Sequence, residues 1–462
     1  MPGLHLILQS IPLRNSIEMT EKAPLKSIAS FFSSISNLYD RAFGGRLVLR
    51  RFASILPVDL VVRASGFILL PLYVHLMPQN EFGLFTYILA VIVSWTVVLN
   101  FGMYLAQTRL YHRYEGDERA AALFTIHILV LGFLALVLIF FFASKLDFAI
   151  VQVLVSSPIS YEAYRMPLFF AVGVSVFSFM LYNFFATSER IKTYQIFSLL
   201  KLFVVHGGVL FALILSEGDT VMIRIKYAYI LEFILLLPFA VILVKEMKMQ
   251  FKVAIAKRAL AIGLPAAVAA LVGFVYNFAD RFVLEKFGSL ADIAVYNLAL
   301  TIASVIGIVF SSYQTVYLPL FLKEREVQRN IRNTRALVWK VSLSLGILGA
   351  AIFLVAIVAL DLNILDEQYN DILIILPMLL VGGIMQSIGH LFTNYFVYFE
   401  LMARSTIMGV ILGAVSLGLN YLLVPSLHLV GTALAYFLSS AVSVGAYAFL
   451  VTRMIRKTGV TL

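Results

Sequence analysis

The sequence predicts an all-α polytopic membrane protein, with twelve transmembrane helices in two parallel-repeat six-helix bundles around a central cavity. Of its 462 residues, 61% are hydrophobic and only 13% are charged, and the mean hydropathy is +0.95. Soluble domains contain about 45–50% apolar and about 25% charged residues. The composition therefore excludes a cytosolic enzyme, a disordered chain and a nucleic-acid-binding domain.

The helix count comes from apolar stretches long enough to cross a bilayer, which takes about 20 residues. Most of these stretches contain no charged residue, whereas the segments 52–76, 196–215 and 221–244 carry charges inside. A turn at residues 425–428, which includes Pro425, divides the last long stretch into two spans. The predicted spans are 52–76, 82–106, 120–143, 166–187, 196–215, 221–244, 260–284, 293–318, 338–360, 372–396, 405–424 and 429–451.

The placement of Lys and Arg predicts the orientation, because these residues concentrate in cytoplasmic loops. An even number of spans puts both termini on one side, and most of the 35 Lys and Arg residues lie in the tails and loops of that side. The loops of the other side contain only Lys145, Arg165 and Lys286. Both termini are therefore predicted to be cytoplasmic, and membrane topology explains most of the net charge of +10.

The N-terminal tail is not a convincing signal peptide, since its apolar piece, residues 4–13, contains polar residues and Pro12 and no basic segment precedes it. Residues 25–51 are predicted either to form an amphipathic helix on the membrane surface or to be disordered. The chain has no cysteine, which excludes disulfides, thiolate metal sites and a cysteine nucleophile.

The two halves of the chain contain similar segments at corresponding positions. Glu81-Phe82-Gly83 is followed by Tyr87, and Lys286-Phe287-Gly288 is followed by Tyr296. Six spans in each half give both halves the same membrane orientation, and parallel repeats of this kind build transporters whose site lies between the halves. The predicted domains are the cytoplasmic tail 1–51, the N-terminal bundle 52–244, the basic cytoplasmic linker 245–259, the C-terminal bundle 260–451 and the cytoplasmic tail 452–462.

Three motifs carry a resemblance to a known family. The first is the segment 69–83, LLPLYVHLMPQNEFG, in which a proline-centred helix precedes a P-x-x-E-F-G turn. The second is Asp280-Arg281 with Tyr296 downstream, and the third is LNYLLVP at 419–425 followed by VGTA at 430–433. In this order the motifs resemble the polysaccharide-transport branch, with the O-antigen flippases, of the multidrug/oligosaccharidyl-lipid/polysaccharide exporter superfamily. The resemblance covers about residues 50–460.

The resemblance implies a flippase that moves undecaprenyl-pyrophosphate-linked oligosaccharide across a bacterial inner membrane. It also implies two six-helix bundles around a cavity that opens alternately to each side, and coupling to a proton or sodium gradient. No cofactor other than this coupling ion is expected. The implied partners are the lipid-linked glycan, the bilayer and, as further candidates, the polysaccharide polymerase and chain-length machinery, with no nucleic acid.

Charged residues inside the spans are the candidates for substrate contact, since a charge at the bilayer centre costs several kcal/mol unless it faces a cavity or a partner. A lipid-linked pyrophosphate needs compensating cations, and a guanidinium binds phosphate oxygens in a bidentate manner. The predicted cationic cavity residues are Arg63, Lys201, Arg224 and Arg281. The residues predicted to serve ion coupling or charge pairing are Asp59, Glu232 and Asp280.

Each of these candidates has a structural alternative. Arg63 lies four residues after Asp59 on the same helical face, so the two are also a candidate internal pair. Lys201 can reach the membrane interface by snorkelling, and Arg224 can act as an interfacial anchor. Asp280 and Arg281 are also interpreted as an interhelical salt-bridge cluster.

Neutral polar residues form the candidate sugar contacts. Gln386, His390 and Asn394 follow one another at intervals of four residues in an otherwise apolar span, and Asn277 shares a helical face with Asp280. Amide and imidazole groups supply the neutral donors and acceptors that recognise sugar hydroxyls. The alternative is hydrogen bonding between helices.

Other function classes fit the sequence less well. A polysaccharide polymerase or ligase needs acids or bases in a sizeable extracytoplasmic loop, but the longest such loop, 144–165, has only Asp147 and Glu162. A multidrug/cation antiporter of the same superfamily favours acidic cavity residues, whereas cations outnumber acids inside these spans. A lipid II flippase usually has two further helices. The chain is therefore predicted not to be an enzyme.

Overall fold

The computed structural model describes residues 66–67, 69–155, 160–324 and 326–457, all within the compact unit Val58–Leu462. Their regular structure is entirely helical. The tail 1–51, the residues Asp59 and Arg63, and most of the predicted first span lie outside the described residues. Accordingly, the predictions for these residues stay predictions.

The helices follow the predicted spans in order. The chain forms α1 (residues 69–76), α2 (Gln79–Asn100), α3 (Met103–Arg113), α4 (Gly116–Ser144), α5 (Leu146–Leu154), α6 (Tyr161–Thr187), α7 (Ile191–Leu215), α8 (Thr220–Lys245), α9 (Val253–Phe287), α10 (Leu290–Lys323), α11 (Val327–Asp361), α12 (Ile372–Tyr398) and α13 (Met402–Lys457). Within the described ranges, nine helices are long and apolar enough to cross a membrane. The chain is therefore a multi-pass membrane protein.

Two of the predicted spans are interrupted by a change of backbone direction. The span 82–106 divides into α2 and α3 at Phe101 and Gly102, whose φ angles are 33° and 74°. The last two spans form one long helix, α13, with a kink at His428, where φ is 46° and ψ is −120°. Pro425, which has no backbone N–H to donate, lies just before this kink. The kink falls in the turn that the sequence predicts.

A short helix that the sequence does not predict, α5, closes the loop between α4 and α6. Arg165 donates to Asp147 with an Nε–Oδ2 distance of 2.6 Å, and the hydroxyl of Tyr161 donates to the same oxygen at 2.8 Å. The guanidinium of Arg165 also lies 4.7 Å from the ring centroid of Phe142 and 4.9 Å from that of Phe148. This loop is therefore held by one buried charge cluster.

Close backbone approaches join the N-terminal part of the chain to the C-terminal part. A Cβ atom on Gly83 of α2 would overlap the carbonyl oxygen of Leu290 in α10. A Cβ on Gly102 would overlap the carbonyl oxygen of Gly263 in α9. Only glycine permits such approaches. The division of the helices into the bundles 52–244 and 260–451 stays a prediction.

The similar segments of the two halves, residues 81–87 and 286–296, meet where Gly83 approaches Leu290. Tyr87 and Tyr296 are both almost fully buried, and Tyr87 packs edge-on against Phe282 with 5.4 Å between ring centroids. Glu81 accepts hydrogen bonds from the backbone N–H and the hydroxyl of Thr220, at 2.9 and 2.5 Å. The close approach at Gly83 is therefore flanked by aromatic packing against α9 and by hydrogen bonds from Glu81 to the first residue of α8.

Replacing Gly83 with Ala is expected to lower the melting temperature of the detergent-purified protein, because the new methyl group must push α2 away from α10. Overpacking of this kind typically costs about 1–3 kcal/mol. Gly132→Ala in α4 is the matched control, since a Cβ there meets no atom within 4 Å. Equal melting temperatures for the two variants would show that the close approach does not constrain the packing.

Candidate functional site

A charge pair joins α7 to α8 in the interior of the N-terminal part. The ammonium of Lys201 bonds the carboxylate of Glu232, and the hydroxyl of Ser178 in α6 donates to the same oxygen at 2.6 Å. Glu232 is 4% exposed, whereas the side chain of Lys201 is 31% exposed. The pair therefore keeps an otherwise costly charge compensated inside the membrane-spanning part.

Lys201 opens a π-helical segment, Lys201–His206, inside α7. Such segments are rare and occur frequently at functional sites. At its other end, Nδ1 of His206 lies 3.1 Å from the hydroxyl of Tyr73 in α1. The segment thus links α7 to α8 at one end and to α1 at the other.

Arg224 of α8 is held between two aromatic rings. Its guanidinium carbon lies 3.5 Å from the ring centroid of Tyr73 and 3.6 Å from that of Phe85, and Nη1 is 3.3 Å from the sulfur of Met77. Within the described ranges no carboxylate forms an ion pair with Arg224, whose side-chain contacts are the two rings and the thioether. Cation–π contacts offset part of the cost of burial without neutralising the charge. Arg224 is therefore a half-buried cation that keeps its net positive charge.

The second charged group lies at α9 and α10. Nη1 of Arg281 is 3.7 Å from Oδ1 of Asp280, and its Nε donates to Oδ1 of Asn297 at 2.7 Å. The hydroxyl of Tyr296 donates to Asp280, which is 7% exposed. Asp280 also lines a cavity of about 110 Å³ together with Asn420, whose buried Oδ1 has no hydrogen-bond partner in the described structure.

A larger cavity of about 390 Å³ lies beside the smaller one, between α10 and α12. Gln386 and His390 line it, and Gln386 and Tyr436 line both cavities. Asn394 is 2% exposed and accepts a hydrogen bond from Gln314 at 2.5 Å. The stripe of Gln386, His390 and Asn394 therefore runs along the cavity and ends at a polar contact with α10.

The predicted site residues thus fall into separate groups. The sequence predicts that the passage is lined by uncompensated cations, but the structure places an acid beside both Lys201 and Arg281, because ion pairing lowers the cost of burying them. Arg224 retains its charge, and the side chain of Asn277 lies outside the described part of the structure. The contact of any of these residues with a substrate stays a prediction.

Sequence reasoning missed several cavity residues. Gln314, Ser304 and Ser311 of α10 face Gln386 across the larger cavity. They lie in a span that is mostly apolar, and serines in such spans commonly bond their own helix. The sequence did contain a signal. Ser304, Gly307, Ser311 and Gln314 follow one another at intervals of three, four and three residues, which places them on one face of a helix.

Comparisons with known proteins support the family and the fold. The family described as polysaccharide biosynthesis protein matches residues 48–324. The structure of the lipid II flippase MurJ in an inward closed conformation is similar with a TM-score of 0.69, at 15% identity over 87% of each chain. An inward-facing multidrug resistance MATE family transporter of the MOP superfamily is similar with a TM-score of 0.62, at 16% identity over 86% of this chain and 96% of that one.

A MOP superfamily transporter from Pyrococcus furiosus is also similar, with a TM-score of 0.53 at 16% identity over 89% of this chain and 96% of that one. No curated protein sequence matches the chain. At these identities the solved structures establish the fold alone. Together with the family match, they confirm the predicted fold class and the resemblance to the polysaccharide-transport branch.

Replacing either Lys201 or Glu232 with Leu is expected to lower the melting temperature, because each change leaves the other charge buried and alone; such losses cost about 3–5 kcal/mol. The double replacement is expected to recover most of the loss. The exposed pair Lys248 and Asp117 is the control, where single replacements should leave the melting temperature almost unchanged because solvent screens both charges. Additive losses at Lys201 and Glu232 would contradict a compensating pair.

Proposed function

The chain belongs to the polysaccharide biosynthesis protein family, and we propose that it is a flippase for undecaprenyl-pyrophosphate-linked oligosaccharide. The oligosaccharide is the repeat unit of an O-antigen, a capsule or an exopolysaccharide. The flippase moves it from the cytoplasmic to the periplasmic leaflet of a bacterial inner membrane, with both termini in the cytoplasm. The observation that carries the proposal is the pairing of this family membership with the fold of MOP superfamily transporters and of a lipid II flippase.

The pyrophosphate is the part of the substrate that hydrocarbon excludes most strongly. Arg224 supports the proposal, because it carries a positive charge that no described carboxylate neutralises and because two rings fix the plane of its guanidinium. A guanidinium held in this way has hydrogen-bond donors at its edge for phosphate oxygens. Arg63, Lys201 and Arg281 complete the proposed cationic set, with Lys201 and Arg281 exchanging a carboxylate for the phosphate.

Transport proceeds by alternating access of the cavity between the two halves, with the prenyl chain remaining in lipid. Binding drives such a change only by favouring one state over the other, so an ion gradient supplies the direction. Asp280 is the proposed coupling carboxylate, next to a small cavity where Asn420 offers an oxygen with no hydrogen-bond partner among the described residues. A proton or a sodium ion satisfies the chemistry of these two oxygen-bearing groups.

Two alternatives remain in the same superfamily, and one outside it. A multidrug/cation antiporter is disfavoured because Arg224 repels a cationic substrate. A lipid II flippase shares the headgroup chemistry and differs in the glycan. A polymerase or ligase is disfavoured because Asp147, an acid of the longest predicted extracytoplasmic loop, is engaged by Arg165 and Tyr161.

Deletion of the gene is expected to remove the surface glycan and to cause lipid-linked oligosaccharide to accumulate in the cytoplasmic leaflet. Complementation with Arg63→Ala or Arg224→Ala should fail, because the pyrophosphate loses a compensating positive charge. The amount of the protein in the membrane should be unchanged. Arg329→Ala, at an exposed arginine outside the proposed site, should restore the glycan fully. Normal surface glycan with both Arg63→Ala and Arg224→Ala would refute the cationic route.

Asp280→Asn is expected to make glycan export insensitive to the membrane ion gradient, because the amide binds neither a proton nor a sodium ion strongly. Export by spheroplasts is measured with the proton or the sodium gradient collapsed in turn. Asp361→Asn, at an exposed position at the end of α11, is the control and should retain the wild-type response. A wild-type response in Asp280→Asn would move coupling to another carboxylate.

A further inference from the structure

The larger cavity has the chemistry of a sugar site and not that of a phosphate site. We propose that the cavity between α10 and α12 is the saccharide-binding subsite of the flippase, in which Gln314 and Phe310 contact a sugar residue of the glycan and Asn394 positions the Gln314 amide. The proposal rests on the proposed function and deepens it. The volume of about 390 Å³ lies within the range of about 300–1,000 Å³ that small-molecule sites occupy.

The lining of the cavity combines apolar surface with neutral polar groups. None of the described residues that line it is an aspartate, glutamate, lysine or arginine. Gly307 and Gly383 open the space on facing helices, and a Cβ on Gly307 would meet no atom within 4 Å. A diphosphate would remain uncompensated in such surroundings, whereas a sugar ring carries only neutral hydroxyl groups.

The serines of the cavity present acceptors. The hydroxyls of Ser304, Ser311 and Ser387 donate to the carbonyl oxygens of Thr301, Ile308 and Gly383, respectively, at 2.6 to 2.8 Å. The hydroxyls of Ser304 and Ser387 therefore use their one hydrogen within their own helix, and each keeps a lone pair that can accept from a donor. Sugar hydroxyls are such donors.

The contact between Gln314 and Asn394 leaves one acceptor and one donor without partners. Nε2 of Gln314 donates to Oδ1 of Asn394, but the buried Oε1 of Gln314 and Nδ2 of Asn394 have no hydrogen-bond partner in the described structure. Buried unsatisfied groups are uncommon and costly. Gln314 lines the cavity and Asn394 does not, so a sugar hydroxyl that reaches the Gln314 amide supplies the donor that its Oε1 lacks.

Aromatic rings border the same space. Phe310 lines the cavity and stacks with His390, with 6.2 Å between ring centroids and 23° between their planes. Tyr313 and Tyr317 continue the row along α10, stacked with centroids 5.7 Å apart. The C–H face of a pyranose is apolar and packs against aromatic rings, while its hydroxyls reach the polar groups around them. The combination of ring faces, acceptors and the amide pair fits a saccharide.

The test compares two lipids that differ only in the sugar. Undecaprenyl pyrophosphate and the lipid-linked oligosaccharide that accumulates in the deletion strain are each titrated into the purified full-length protein, and their Kd values are measured. The variant carries Gln314→Leu and Asn394→Leu together, because removing both members of a polar pair is close to neutral for folding. Gln107→Leu in α3 is the control, since the buried amide of Gln107 also has no hydrogen-bond partner among the described residues but does not line the cavity.

The wild-type protein and Gln107→Leu are expected to bind the glycan-bearing lipid about tenfold more tightly than undecaprenyl pyrophosphate, and the double variant is expected to bind the two alike. The wild-type protein, the double variant and Gln107→Leu should have equal melting temperatures in the absence of lipid. An undiminished preference in the double variant, or no preference in the wild type, would overturn the proposal. If the wild-type protein bound neither lipid, the result would instead contradict the proposed function. Ethidium, a cationic drug, is titrated in the same way. If the double variant selectively failed to bind ethidium, the cavity would be a site for a cationic drug, against the proposal.

Discussion

The cost of a charge in hydrocarbon governs how this chain is built. A buried ion costs several kcal/mol unless it has a partner, so the described charges of the interior come with compensation. Lys201 is met by Glu232 and Ser178, and Arg281 lies beside Asp280 and Asn297. Arg224 is met by two rings and a thioether, which stabilise the guanidinium and leave its charge available. The proposed substrate, which has two negative charges, would exchange partners with these groups as it enters.

Among the described residues, the cation without a carboxylate partner and the cavity without charged lining residues lie in different parts of the chain. The cation that keeps its charge lies on α8, packed by α1 and α2, whereas the neutral cavity is formed by α10, α12 and α13. The two parts of the chain touch where glycines allow backbone to approach backbone, at Gly83 and Gly102. Because a lipid-linked glycan has a charged head and a neutral sugar, this separation matches the two parts of the proposed substrate.

The sequence predicted the membrane spans well and the pairing of side chains poorly. Composition and charge-free length decide whether a segment crosses the bilayer, and Pro425 marked the kink of α13 correctly. The break between α2 and α3 was missed although Gly102 lies there, because a single glycine inside an apolar span does not by itself mark a break. Lys201 and Glu232 are 31 residues apart on different helices, so no spacing rule could pair them. Gln314 was missed for the same reason, since its partner Asn394 lies 80 residues away.

The most direct test of the account is translocation of the lipid by the purified protein in liposomes. Lipid-linked oligosaccharide is placed in the outer leaflet, and its loss from that leaflet is followed with a membrane-impermeant lectin. We expect the wild-type protein to move the lipid far faster than empty liposomes do, and Arg224→Ala to move it no faster than they do. Equal rates for wild-type and empty liposomes, or wild-type rates for Arg224→Ala, would contradict the central claim that cationic side chains carry the pyrophosphate through the membrane.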